Sequence, residues 1–183
     1  MAQRTVVALP GRNNGPSVPQ VFFPVMAAIR RGAEADPVSW QGLDQLDQVP
    51  YEEWPGWVRT QAEPHLRDLD PATTVVVGKS LGTFAAGLVA DLGLPAIWVT
   101  PLLTEDRVVT ELRRATAPFL LVGGTADRLW DSAVARQLSP HVVEIDGGNH
   151  GLFVPGPLER SARAIGELAA ASEAFLDDVV WPD

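Results

Sequence analysis

Val75-Val76-Val77-Gly78-Lys79-Ser80-Leu81-Gly82-Thr83 is the stretch on which the reading of this chain turns. Its three valines are a β-branched, fully apolar run, as expected of a strand covered on both faces. The residues after Ser80 suit a helix over roughly 81–92, and Gly93 is a good stop for it. Between strand and helix lies Gly-x-Ser-x-Gly, built from Gly78, Ser80 and Gly82. A strand that turns this sharply into a helix holds its serine in a strained conformation, and side chains two residues to either side would collide. The glycines remove them. Ser80 is then presented at the C-terminal edge of a sheet, where the partial positive charge of a helix start favours an anion.

Gly78-Lys79-Ser80 also matches the end of a phosphate-binding P-loop. That loop needs a glycine five positions before Gly78, where this chain has Thr73, and a flexible lead-in where this chain has valines. The P-loop reading is therefore set aside.

Outward from this stretch, short β-branched runs alternate with helical periodicity. Strands are expected at Thr5–Leu9, Val38–Gln41, Thr73–Val77, Ala96–Val99, Phe119–Val122 and His141–Ile145. Helices are expected over 18–34, 51–69, 81–92, 106–115, 131–138 and 157–180. Six strands with a helix between each pair predict an α/β fold, a parallel sheet between two helical layers. No internal linker interrupts the pattern, so one domain over 1–183 is expected.

A nucleophilic serine needs a base, and the base needs an acid to orient it. The chain has three histidines. His65 falls in a polar helical stretch and His141 starts a strand. His150 lies in Asp146-Gly147-Gly148-Asn149-His150-Gly151, directly after the last strand. All strands of a parallel sheet end at one edge, so His150 and Ser80 share it. Asp127, in the turn Gly123-Gly124-Thr125-Ala126-Asp127, is the candidate acid. Asp131 is second and more naturally begins the next helix; Asp146 is too local to His150 to orient it.

The segments Gly78–Gly82, Gly123–Asp127 and Gly148–Gly151, each at a strand end and in the order Ser80, Asp127, His150, make the chain resemble the α/β-hydrolase superfamily over nearly its whole length. The resemblance implies a minimal member with strand order 2-1-3-4-5-6, lacking the two N-terminal antiparallel strands of larger members. It implies an oxyanion hole of two backbone amides, Leu81 and Arg12, with Asn13 as an alternative. Larger relatives often carry His-Gly after the first strand, whereas this chain has Pro10-Gly11. Arg12-Asn13-Asn14 also reads as an ordinary polar loop. Residues 100–118 must already hold a helix, so a cap domain is not expected, and Phe22, Leu102, Leu103, Trp130 and Phe153 become candidates for lining a shallow cleft. Their alternative place is the core.

The activity so implied is hydrolysis of a carboxylic ester or thioester through an acyl-enzyme on Ser80, with no metal or organic cofactor. A ligand-binding protein on the same fold and an acyltransferase are the alternatives. The expected partner is a small acyl substrate. The absence of cysteine excludes disulfides and thiolate chemistry, and the net charge of −9 disfavours nucleic acid. No apolar run reaches the length of a membrane span, and the short N-terminal run is not a signal peptide, so a cytoplasmic protein is expected.

Of 14 basic residues, Lys79 is the sole lysine. Chance accounts for this, or else the slim ammonium fits where guanidinium would not. In the second case it braces the turn through a carboxylate, with Glu105, Asp106 and Asp131 as candidates.

Overall fold

The computed structural model describes residues 3–13 and 15–182. Six strands, β1 (Arg4–Leu9), β2 (Ala33–Pro37), β3 (Thr74–Lys79), β4 (Ala96–Val99), β5 (Phe119–Gly124) and β6 (His141–Ile145), form one sheet. Every pairing is parallel, in the order β2-β1-β3-β4-β5-β6. The helices are α1 (Pro19–Ile29), α2 (Trp54–Leu66), α3 (Ala86–Asp91), α4 (Asp106–Arg114), α5 (Ser132–Leu138) and α6 (Leu158–Phe175).

Strand periodicity sorts the core into two halves. Val6, Ala8, Val75, Val77, Ile97 and Val122 face one way and pack under α1 and α6, against Val21, Ala28, Ala164, Leu168 and Phe175. Val7, Leu9, Val76, Trp98 and Leu121 face the other way and pack under α2 to α5. The fold is thus a three-layer sandwich whose central strands are apolar on both faces. Each fully buried valine of β3 contributes about 1.5–3 kcal/mol.

Three expected elements change most. The second strand is Ala33–Pro37, not Val38–Gln41. It is an edge strand bonded only to β1, so Glu34 and Asp36 are tolerated and no apolar run betrays it. Helix α1 accordingly stops at Ile29, and Gly32, at φ +83°, turns the chain into the strand. After β3 the chain first makes a tight 3₁₀ turn, Ser80–Ala85, before α3 proper.

Because β2 and β3 lie on opposite sides of β1, the chain reverses its direction of winding there, and the strand ends leave a crevice beside β3. Between β4 and β5 the regular structure is α4 alone. Among the described residues no helix is long and apolar enough to cross a membrane.

Candidate active site

Ser80 follows the last residue of β3 and has φ +48°, in the left-handed region that non-glycine residues seldom occupy. Its surroundings impose this. A Cβ on Gly78 would lie 2.2 Å from the Trp98 ring, and one on Gly82 would lie 2.2 Å from the carbonyl oxygen of Leu9. The turn is therefore wedged between β4 and the end of β1, and the Thr83 hydroxyl ties it by donating to the Ser80 carbonyl at 2.7 Å.

The β5 and β6 loops are stitched together. Thr125 N–H donates to Ile145 O at 3.0 Å, Ala126 N–H to Gly148 O at 3.0 Å, and Gly147 N–H to Thr125 Oγ1 at 2.7 Å. Gly124 permits this, since a Cβ there would sit 2.0 Å from Gly148 O. The result brings Asp127 against His150. Asp127 Oδ2 accepts from His150 Nδ1 at 2.7 Å, and Oδ1 accepts from Leu129 N–H at 3.0 Å. With the carboxylate accepting from Nδ1–H, Nε2 is the ring atom that faces Ser80. Ser80 Oγ donates to Nε2 at 2.8 Å. The Asp127 side chain is 2 % exposed and that of His150 35 %, so the acid is sealed while the imidazole meets solvent.

The His150 loop is held by groups without an expected role. Asn149 Oδ1 accepts from Gly151 N–H at 2.8 Å and Phe153 N–H at 3.1 Å. Gln20, buried at the start of α1, donates from Nε2 to Gly151 O. Leu152 is buried at φ +58°. The asparagine was readable as a residue that folds its own loop; Gln20, some 130 positions away, carried no local signal.

Other candidates are placed differently. His65 pairs with Asp36 at 2.8 Å, and His141 packs on Phe175. Asp131 caps α5, accepting from Ala133 N–H and Val134 N–H. The Arg12 side chain pairs with Asp47 and lies 5.2 Å from the Trp54 ring centroid. It points toward α2, so only its backbone is available to the site. Asn13 borders a separate hollow with Arg12 and Trp40.

Two cavities flank His150. One, of about 560 Å³, lies between the starts of α1 and α6 and has Lys79 in its wall. The other, of about 650 Å³, lies between Arg128, Leu129 and Asn149. Phe153 lines both. The other four proposed cleft residues line neither. Leu102, Leu103 and Trp130 are in the core, the last bonded through Nε1 to Glu144 at 2.8 Å, and Phe22 is exposed on α1. Apolar residues near strand ends were filling the sandwich rather than shaping a cleft.

Lys79 departs furthest from expectation. It shares parity with Val75 and Val77 and so faces α1 and α6, whereas Glu105, Asp106 and Asp131 start helices on the opposite face. Glu105 instead accepts from Tyr51 Oη at 2.7 Å. Lys79 Nζ lies 3.5 Å from the carbonyl oxygen of His150. Burial pushes its pKa down, and the charge of Asp127 offsets part of this.

No family model matches the chain, and no curated protein matches it in sequence. Solved structures do match. One is a protein described as a hydrolase of the α/β superfamily from Xanthomonas campestris pv. campestris, at 18 % identity over 97 % of this chain and all of that one, with a TM-score of 0.71. Another is mouse alpha/beta hydrolase domain-containing protein 10, at 14 % identity, 97 % and 92 % coverage and TM-score 0.68. A third, again from Xanthomonas campestris, is described as an α/β serine hydrolase without a lid, at 17 % identity, 96 % and 84 % coverage and TM-score 0.56. The chain has the fold of the α/β-hydrolase superfamily, in a small six-stranded form.

Proposed function

We propose that the protein is a lidless, single-domain serine hydrolase that cleaves a carboxylic ester or thioester. The observation that carries the reading is the relay from Ser80 Oγ through His150 to Asp127, at 2.8 and 2.7 Å, with the serine held at φ +48°. A serine at positive φ between two wedged glycines at a strand-to-helix junction matches the turn that exposes a nucleophile.

In this reading His150 Nε2 takes the hydroxyl proton as Ser80 Oγ attacks the acyl carbon. The carbonyl oxygen becomes an oxyanion bound by the backbone N–H groups of Leu81 and Arg12, with Asn13 as the alternative second donor. Each such donor is typically worth about 2.7–4 kcal/mol in the transition state. The approach of Leu9 to Gly82 supports this, because it brings the chain after β1 alongside the turn. Collapse passes the proton from His150 to the leaving oxygen or sulfur, leaving an acyl-serine. His150 then takes a proton from water, hydroxide adds to the acyl carbon, and the acid departs as Ser80 is reprotonated. Asp127 holds the imidazole tautomer and stabilises its charged form.

The test is Ser80→Ala against a panel of 4-nitrophenyl acyl esters, with a fluorophosphonate probe as reporter of the serine. Turnover is expected to fall by on the order of 10⁶, to the limit of detection, and labelling to vanish. Parental turnover in the variant overturns the reading. A folded parent that neither labels nor turns over any ester favours a binding protein instead.

A further inference from the structure

Lys79 has no task in the proposed reaction, although it stands between Gly78 and Ser80. The period of β3 sends it between α1 and α6, and the residue is 2 % exposed. It forms part of the wall of the 560 Å³ cavity, where Val18, Leu158, Ala162 and Ile165 offer only carbon. The other polar side chains there bring no negative charge to it: Gln20 donates through Nε2 to Gly151 O, and Ser161 Oγ bonds the Val154 backbone. An ammonium has three donors. Among the described residues Lys79 has one hydrogen-bond partner, the His150 carbonyl, at 3.5 Å. The carboxylate whose charge it feels, Asp127, is already engaged by His150 and Leu129.

Burying an amine with unfilled donors is unfavourable. In this chain 13 of 14 cations are arginine, so a lysine here is a departure from its own habit. What the cavity lacks is one negatively charged hydrogen-bond acceptor on an apolar stem. A phosphate would bring more charge than one ammonium neutralises in a largely carbon-lined space, whereas a carboxylate matches it one to one. At the mouth, Phe153 and Leu158 are 57 % and 75 % exposed and extend the apolar wall outward.

We propose that this cavity binds a carboxylate carried on an apolar chain, with the anion paired to Lys79 Nζ. His150 is in the same wall, so, resting on the hydrolase reading, the ester or thioester cleaved at Ser80 carries a second, free carboxylate on its acyl or its leaving-group arm. The net charge of −9 repels anions at long range, but salt screens that field beyond about 8 Å, while a pair inside the cavity is little screened.

The sole lysine makes the test direct, because lysine-selective ¹³C/¹⁵N labelling gives one side-chain signal. In the unaltered protein, hexanoate is expected to shift the Lys79 signal saturably and hexan-1-ol to leave it in place. In turnover, the 4-nitrophenyl half-ester of adipic acid is compared with 4-nitrophenyl hexanoate for the acyl arm. For the leaving-group arm, 4-(carboxymethyl)phenyl acetate is compared with 4-ethylphenyl acetate. One pair is expected to show a preference in kcat/KM for the anion of about tenfold or more, the scale of one charge-assisted hydrogen bond. Lys79→Met is expected to erase that ratio.

A Lys79 signal unmoved by hexanoate, or moved equally by hexan-1-ol, overturns the proposal, as does a preference that survives in Lys79→Met. Turnover and fluorophosphonate labelling with no anion preference leave the hydrolase reading standing and remove this one. A protein that neither labels nor turns over loses the hydrolase reading, and the resonance measurement still decides what the cavity binds, including where Lys79→Met does not fold.

Discussion

Ser80 carries two burdens that substitution can separate. Its hydroxyl lies in the relay to His150, and its backbone is held in the left-handed region. Ser80→Ala removes the hydroxyl and keeps the strain; Ser80→Gly removes both. A side chain at positive φ costs about 1–2 kcal/mol, so the glycine variant is expected to melt above the alanine variant by roughly 2–8 °C. Calorimetry of the two checks this. Equal melting temperatures would mean that the turn relaxes and stores nothing. At this scale the candidate residues Ser80, Asp127 and His150 were legible because each follows a strand end, and a parallel sheet gathers its strand ends. The environment of Lys79 was not. It depends on which helices cover which face, and the segment around residue 79 holds no trace of that.

Elements were legible where β-branched or apolar runs marked them. Strands β4 and β6 begin and end where the sequence predicts. Strand β2 was displaced because an edge strand need not be apolar, and Ala33 and Glu34 are helix formers that prolonged the expected helix into it. The link between the 3₁₀ turn at Tyr51–Glu53 and the start of α4 was also invisible. There Tyr51 Oη donates to Glu105, and burial, with that carboxylate, pushes the phenol up to about 12. The folded state therefore holds the proton more tightly than the unfolded chain does. Its contribution is complete below the ordinary phenol value of about 10 and is lost as pH rises from there to about 12. Tyr51 is the sole tyrosine, so tyrosinate absorbance reads it alone. The native midpoint is expected near pH 12 and the urea-unfolded one near 10, with Glu105→Gln lowering the native value. A native midpoint equal to the unfolded one would show that the contact does not form in solution.

Across the whole molecule, the class of fold was readable from alternation alone, but the order of strands was not. That order came from resemblance, because the reversal at β1 is a choice between two edges that no run of residues specifies. The sheet is also closed by parts distant in sequence. Trp181 is buried in the α1/α6 half of the core, and the Arg4 guanidinium lies 4.8 Å from its ring centroid. Trp181→Ala is expected to cost about 3–5 kcal/mol, a fall in Tm of roughly 10 °C. Its Nε1 has no partner among the described residues, so Trp181→Phe is expected to retain most of that stability. Thermal melts of both variants decide whether packing or the indole N–H matters.

The packing of α6 on α1 joins residues 158–175 to residues 19–29 on one face of the sheet. A ribosome makes these partners in the opposite order to their need. When α1 emerges, Val21, Ala27 and Ala28 have β1 beneath them, gain β3 later, and have no helix packed beside them until α6 is made. The nascent chain thus carries a half-covered sheet until α6 follows, and in that interval pairing with a neighbouring nascent chain competes with completion. Acquisition of a probe-reactive Ser80 would then wait on His150 and on α6, which emerge after every strand of the sheet.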